Sequence, residues 1–157
     1  MKKFTDTKKT SMRVFEQQFI VKNEVEEEKS IPVKFFSKIF ESREMAHMFH
    51  LKAQGDGSFA QHLALQDYYD GDNSILGLID DLVEVYQAQY DLVEGWENID
   101  KQSKISEEPL QYFIEVAEFV KRTRYSAISE EDAHIQAIID EILNLIYKLI
   151  YKLRFLK

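Results

Sequence analysis

His50 and His62 stand twelve residues apart, and Asp80 and Glu84 follow four residues apart, one helical turn. Two imidazoles and two carboxylates carried on helices are a ligand set that holds iron or a similar divalent metal. The chain offers little other chemistry. It has no cysteine, no glycine-rich phosphate loop and no nucleophile flanked by a histidine and an acid, so thiolate sites and disulfides are excluded. A rival constellation exists in Glu44-x-x-His47 and Glu131-x-x-His134, the spacing with which di-iron bundles set two ligands on one helix face. Glu84, Glu115 or Glu118 would complete such a site. Those motifs fall on the first and fourth helices rather than the usual second and fourth, and Glu131 sits in a turn where an acid is expected for helix-dipole reasons alone. A reading without metal also stands: His50 or His62 hydrogen-bonded in a core or interface, with Asp80, Asp81 and Glu84 as a solvated face.

The elements that must position these residues follow from composition and pattern. At 157 residues, 45% hydrophobic and 31% charged, the chain suits one domain that closes a core without disulfides. Two prolines and five glycines in so long a chain favour long helices over many short strands. The start, Met1-Lys2-Lys3-Phe4, lacks the apolar run and cleavage site of a secretory signal, so a cytoplasmic location is expected. Asp140, Glu141, Asn144, Lys148, Lys152 and Arg154 interrupt the apolar stretch 135–156, which argues for a buried helix and no membrane partner. The net charge of −8 opposes nonspecific nucleic-acid binding by the fold as a whole. Lys2, Lys3, Lys8, Lys9 and Arg13 against the single acid Asp6 make a local exception, a basic tail for DNA phosphates or an acidic partner. The alternative is a solvated terminus.

Residues 1–30 read as an N-terminal extension that docks partly on the body. Val14, Phe15, Phe19, Ile20 and Val21 form an apolar patch, followed by the charge run Glu24-Val25-Glu26-Glu27-Glu28. Ser30-Ile31-Pro32 predicts a helix start, with Ser30 as N-cap and Pro32 in the first turn, and opens a domain over residues 31–157. Phe36, Ile39, Phe40, Met45, Met48 and Phe49 fit one face of a first helix, with Glu41, Arg43 and Glu44 mostly off it. Beyond the Gly55-Asp56-Gly57-Ser58 turn, Phe59, Leu63, Leu65, Tyr68 and Tyr69 begin a second helix. Gly71-Asp72-Asn73-Ser74 breaks it, and Ile75, Ile79, Leu82 and Tyr86 resume it. A polar connection over residues 95–106 carries Trp96, either an exposed contact or a cover over the bundle end. Ser106-Glu107-Glu108-Pro109 opens a third helix, and Ser129-Glu130-Glu131-Asp132, a capping-box pattern, opens the fourth. Isoleucines and leucines ring much of that fourth helix, so subunit contacts along it are expected. The prediction is an all-α, four-helix bundle with a crossover connection.

The stretch His50-Leu51-Lys52-Ala53-Gln54-Gly55, with Phe59 and His62, resembles the end of the first helix and start of the second in the Dps family (DNA protection during starvation), a branch of the ferritin-like proteins. The likeness covers mainly residues 36–90. It implies a ferritin-like bundle in which His50, His62, Asp80 and Glu84 hold iron, with zinc and manganese as competitors, and ferroxidase chemistry as the candidate activity. In that family the histidines and carboxylates come from different subunits across a twofold, so the resemblance also implies a homodimer or larger homo-oligomer. The gap of eighteen residues from His62 to Asp80 is three longer than in the family, which marks Asp72-Asn73-Ser74 as an insertion. Three residues turn a helix by roughly 300°, enough to swing Asp80 and Glu84 relative to His62. Leu51 stands where the family usually carries an aromatic residue. The whole pattern, including the ending Tyr147 to Lys157, is also similar to small tailed-phage proteins with such a bundle. That likeness implies the competing reading, a non-catalytic structural or virion-associated protein in the host cytoplasm or the particle.

Overall fold

The computed structural model describes residues 6–92, 94–96 and 108–156, with side chains from residue 31 onward and, before it, those of residues 13, 14, 16–18, 20 and 21. Five helices make up the described chain: α1 (Asp6–Lys52), α2 (Ser58–Asp70), α3 (Ile75–Gln89), α4 (Pro109–Ala127) and α5 (Ala133–Phe155), with no strand among the described residues. The protein is thus an all-α helical bundle. Its contacts fall into two units, Met1–Ile31 and Pro32–Lys157. The boundary lies at the proline, but no helix starts there. Helix α1 runs through Pro32. Proline forfeits one backbone hydrogen bond inside a helix, at a cost of about 3 kcal/mol, and the good helix formers on either side, rich in Glu and Lys, outweigh it. Of the basic tail, Lys2 and Lys3 lie outside the described residues, and Arg13 is exposed.

Within the second unit, side-chain contacts give the directions of the helices. The Pro32–Lys52 part of α1 runs antiparallel to α2 and α3: Phe36 meets Tyr86 edge-on at 5.0 Å, and His50 meets His62. Helices α2 and α3 together run antiparallel along α5, from the Lys152–Asp67 ion pair at 2.7 Å to the Gln89–Asp132 hydrogen bond at 2.6 Å. They are one rod of the bundle, broken in the middle. The break is sharper than an interruption of one helix, because Gly71–Ser74 leaves the helical path altogether. Glycine is required at its first position. A Cβ on Gly71 would stand 2.7 Å from the carbonyl oxygen of Asp67, closer than real Cβ contacts come.

Helices α4 and α5 form a hairpin, so α4 begins at the end of the bundle opposite the one where α3 stops. Gln89 and Pro109 therefore lie toward opposite ends of the bundle, as the crossover reading requires. Most of the connection, residues 97–107, lies outside the described residues. Trp96 is seen. Its carbonyl accepts a hydrogen bond from Ser37 Oγ at 2.7 Å, and its ring lies 4.3 Å from Phe40, so it covers the bundle end and is half-buried.

The core is aromatic on the α1, α2 and α4 side and aliphatic along α5. Phe35, Phe36, Tyr68, Tyr112 and Phe113 are almost fully buried, as are Ile135, Ile139, Ile142 and Ile146. Each such side chain contributes about 1.5–3 kcal/mol on leaving water. Arg124 and Gln136 in this interior are paired with each other. The buried Arg124 guanidinium donates to Gln136 Oε1 at 2.7 Å, to the Gln136 carbonyl at 3.0 Å and to Asp140 at 2.6 Å. Gln136 in turn donates to the Ile128 carbonyl at 2.9 Å, which closes the α4–α5 turn.

The start of α5 departs from the capping-box expectation. Asp132, not Ser129, is the N-cap residue, and its carboxylate does not cap its own helix. It accepts hydrogen bonds from Gln89 and Tyr90 at the end of α3 instead. These bonds, Tyr90 first, hold the Asp132 carboxyl below its ordinary range, and the same contact with Asp132 raises the Tyr90 phenol. Tyr86, stacked on Tyr90 at 4.7 Å, is raised by burial and by the nearby Asp132 charge.

Two outcomes follow from these contacts. Arg124→Ala strands Gln136 in the interior and should cost about 3 kcal/mol, a fall in Tm of roughly 10 °C by calorimetry. The Asp132 contribution is present above the ordinary carboxyl range near pH ~4 and lost as pH falls through its depressed value. The Tyr90 contribution is present below about pH 10 and lost as pH rises through its raised value. Urea midpoints across that span should fall at both ends, and Asp132→Asn should remove the acid limb. An unchanged acid limb would show that Asp132 does not link α3 to α5.

Candidate metal centre

The last two turns of α1 carry His47 and His50, and the chain reverses directly after them. Gly55 and Gly57 adopt φ of 86° and 77°, a left-handed conformation that glycine takes without penalty. Ser58 N donates to the Gly55 carbonyl at 3.1 Å and closes the turn. This geometry returns α2 with His62 against His50. The two rings stack at 3.8 Å with an interplanar angle of 15°.

His50 Nδ1 lies 3.1 Å from the His62 carbonyl oxygen. A carbonyl only accepts, so Nδ1 carries the proton and the neutral ring keeps its lone pair on Nε2. A ring fixed by a backbone carbonyl in this way has the orientation and tautomer of a metal-ligating histidine. His62 differs. Its Nδ1 is buried with no partner among the described residues, a loss of about 1–3 kcal/mol for a buried polar atom. Two more rings complete the cluster: Tyr69 stands edge-on to His50 at 5.5 Å, and His47 lies 4.7 Å from Tyr69 and 6.5 Å from His50. The sequence reading assigned His47 to a Glu-x-x-His motif and missed this grouping, although its i, i+3 spacing to His50 is the signal for it.

Asp80 and Glu84 are both exposed on α3. The fold does not bring them to the histidines of the same chain. Among the described residues no group of three or more His, Asp or Glu side chains is arranged to hold a metal. One chain therefore supplies two nitrogens, while first-row divalent cations take four to six donors. The donor set fits such a cation only as half a site, with oxygen ligands from elsewhere. The di-iron alternative is not assembled: Glu44 pairs with Arg43 at 2.7 Å, and Glu131 and His134 are exposed around the start of α5.

The bundle interior holds a different polar group. Glu41, expected off the apolar face, is buried because Tyr112 donates to its carboxylate at 2.8 Å and Lys38 at 3.0 Å. The Lys38 ammonium also sits 5.0 Å from the Tyr112 ring centre. Next to them Ser42 and the fully buried Tyr68 share a hydrogen bond of 2.8 Å, and burial pushes the Tyr68 phenol well above its ordinary range. This carboxylate is committed to an ammonium and a phenol, and it serves packing.

No curated protein and no solved structure matches the chain. One family does, over residues 50–153, a span that begins at His50 and includes His62, Asp80 and Glu84. With about two thirds of its length matched, the chain belongs to DUF5856, a family of unknown function.

Proposed function

We propose that this protein is a Dps-like metal-binding protein, with Fe(II) as the first candidate and zinc and manganese as competitors. His50 and His62 of one copy would hold the cation together with Asp80 and Glu84 of a second copy, in a homodimer or a larger homo-oligomer. The observation that carries the reading is the His50 Nδ1 contact with the His62 carbonyl, which frees Nε2 beside a second, stacked imidazole. The exposure of Asp80 and Glu84 at helical i, i+4 spacing supports their use between copies. The single long crossover is the connectivity of ferritin-like bundles. Iron bound with open positions supplies electrons to dioxygen or peroxide, which is ferroxidase chemistry.

A second reading has an observation of its own. Tyr147, Tyr151 and Phe155 expose 44%, 59% and 61% of their surface along one stripe of α5. Such a stripe suits a non-catalytic protein bound to a larger assembly, a phage particle included. No helix among the described residues is long and apolar enough to cross a membrane. DNA contact through Lys2, Lys3, Lys8, Lys9 and Arg13 is tested by a gel shift with and without residues 1–13; a shift unchanged by truncation rules the tail out.

The metal reading is tested by equilibrium dialysis with Zn(II) or Mn(II) and by near-ultraviolet absorbance after Fe(II) addition in air. His62→Ala and Glu84→Ala should each weaken binding by at least roughly tenfold, the scale on which even supporting groups around a metal act. Mixed after subunit exchange, the two variants should regain one intact site per heterodimer. Wild-type binding no stronger than in either variant would sink the proposal. Recovery absent from the mixture, with wild type active, would place all four ligands in one chain.

A further inference from the structure

Residues 6–31 are helical and belong to a contact unit of their own, Met1–Ile31. Within that unit helix is the only element among the described residues. Val14, Ile20 and Val21 expose 47%, 54% and 57% of their surface. A helix held by propensity alone is marginal in water, and one with aliphatic residues in solvent is a helix awaiting a partner.

The order of charges says which partner. Lys8, Lys9 and Arg13 make the first part of the segment basic, against Asp6 alone, while Glu24, Glu26, Glu27 and Glu28 outnumber Lys22 and Lys29 and make its last part acidic. The apolar residues, from Val14 to Val21, lie between them. Val14 and Val21 are seven residues apart, as are Gln18 and Val25, and together they form a heptad seam with a polar centre. Lys8 and Glu26 are eighteen residues apart, five whole turns, so they share one side of the helix. Two copies laid antiparallel about Gln17 and Gln18 place Val14 opposite Val21 and bring Lys8 within one residue of level with Glu26. A parallel pair would set lysine on lysine and glutamate on glutamate, which repel.

We propose that residues 6–31 form an antiparallel, twofold helix pair with the same segment of a second copy. The segment's own charge order is complementary to itself only in that orientation. This pairing is independent of the metal site, since none of its residues is one of the four proposed ligands.

The chain has no cysteine, so single substitutions report pairing without background. Under mild oxidation of the full-length protein, Gln18→Cys should cross-link to itself, while Lys8→Cys alone and Glu26→Cys alone should not. A mixture of the last two should cross-link at least tenfold faster than either alone. In sedimentation experiments Lys8→Glu should weaken self-association several-fold, and adding Glu26→Lys to the same chain should restore it. Self-cross-linking of Lys8→Cys as fast as the mixture would establish a parallel pair and overturn the proposal. Absence of cross-linking in all three cases would overturn pairing altogether. Zinc dialysis on Lys8→Glu, at a protein concentration where that variant is still dimeric, should match wild type, which separates failure here from failure of the metal reading.

Discussion

Helix α5 is the element the bundle is built around. Ile135, Ile139, Ile142 and Ile146 are wholly buried, with Leu143, Leu149 and Ile150 nearly so, and these residues span too much of the circumference for one neighbour to cover. Helices α2, α3 and α4 all pack on it. The rod formed by α2 and α3 must follow α5 for its whole length, yet it bends on the way, and the bend is taken up at Gly71, where the Asp67 carbonyl leaves no room for a Cβ. The crossover has the same origin. With the end of α3 held beside Asp132 and α4 bound to α5 as a hairpin, Gln89 and Pro109 are set at opposite ends of α5.

Apolar contact alone would leave the helices free to slide, and the buried polar contacts fix their register. Arg124 locks α4 to α5 near the hairpin, Asp132 ties the end of α3 to the start of α5, and Glu41 joins α1 to α4 through Tyr112. Burying a paired charge gives little net stability, but leaving one partner behind is expensive. Such contacts therefore penalise wrong registers more than they strengthen the right one. Asp132 shows the competition directly, giving up the capping of its own helix to accept from two residues of another.

The helical class, the crossover and the break before Ile75 were legible in the sequence because apolar period, glycine and proline act locally. What the sequence concealed depended on distant partners. Pro32 resembles a helix start, but the residues before it are strong enough helix formers to continue through it. Ser129 offers a capping box, and only the positions of Gln89 and Tyr90 decide that Asp132 takes the N-cap. Glu41 looks like a surface acid until Tyr112, 71 residues away, is placed beside it. The spacing of His50 and His62 was a sound guide to proximity, since a short turn between two helices leaves few ways to arrange them. The His47 and Tyr69 rings joined them unannounced.

The carboxylates are the instructive case. The three-residue insertion was expected to decide where Asp80 and Glu84 face, by rotating α3 relative to α2. The core decides it instead. Ile75, Ile79, Leu82 and Tyr86 are buried, and they hold one face of α3 inward whatever precedes it. At about 100° per residue, Asp80 lies about 100° from Ile79 and Glu84 about 140° from it, outside the buried face. Any register that kept the apolar stripe against α5 would leave both acids outward. Within one chain they have no access to a histidine pair seated between α1 and α2. If they act as ligands, it must be for a neighbouring copy, and the insertion then matters only through the angle at which α3 presents them.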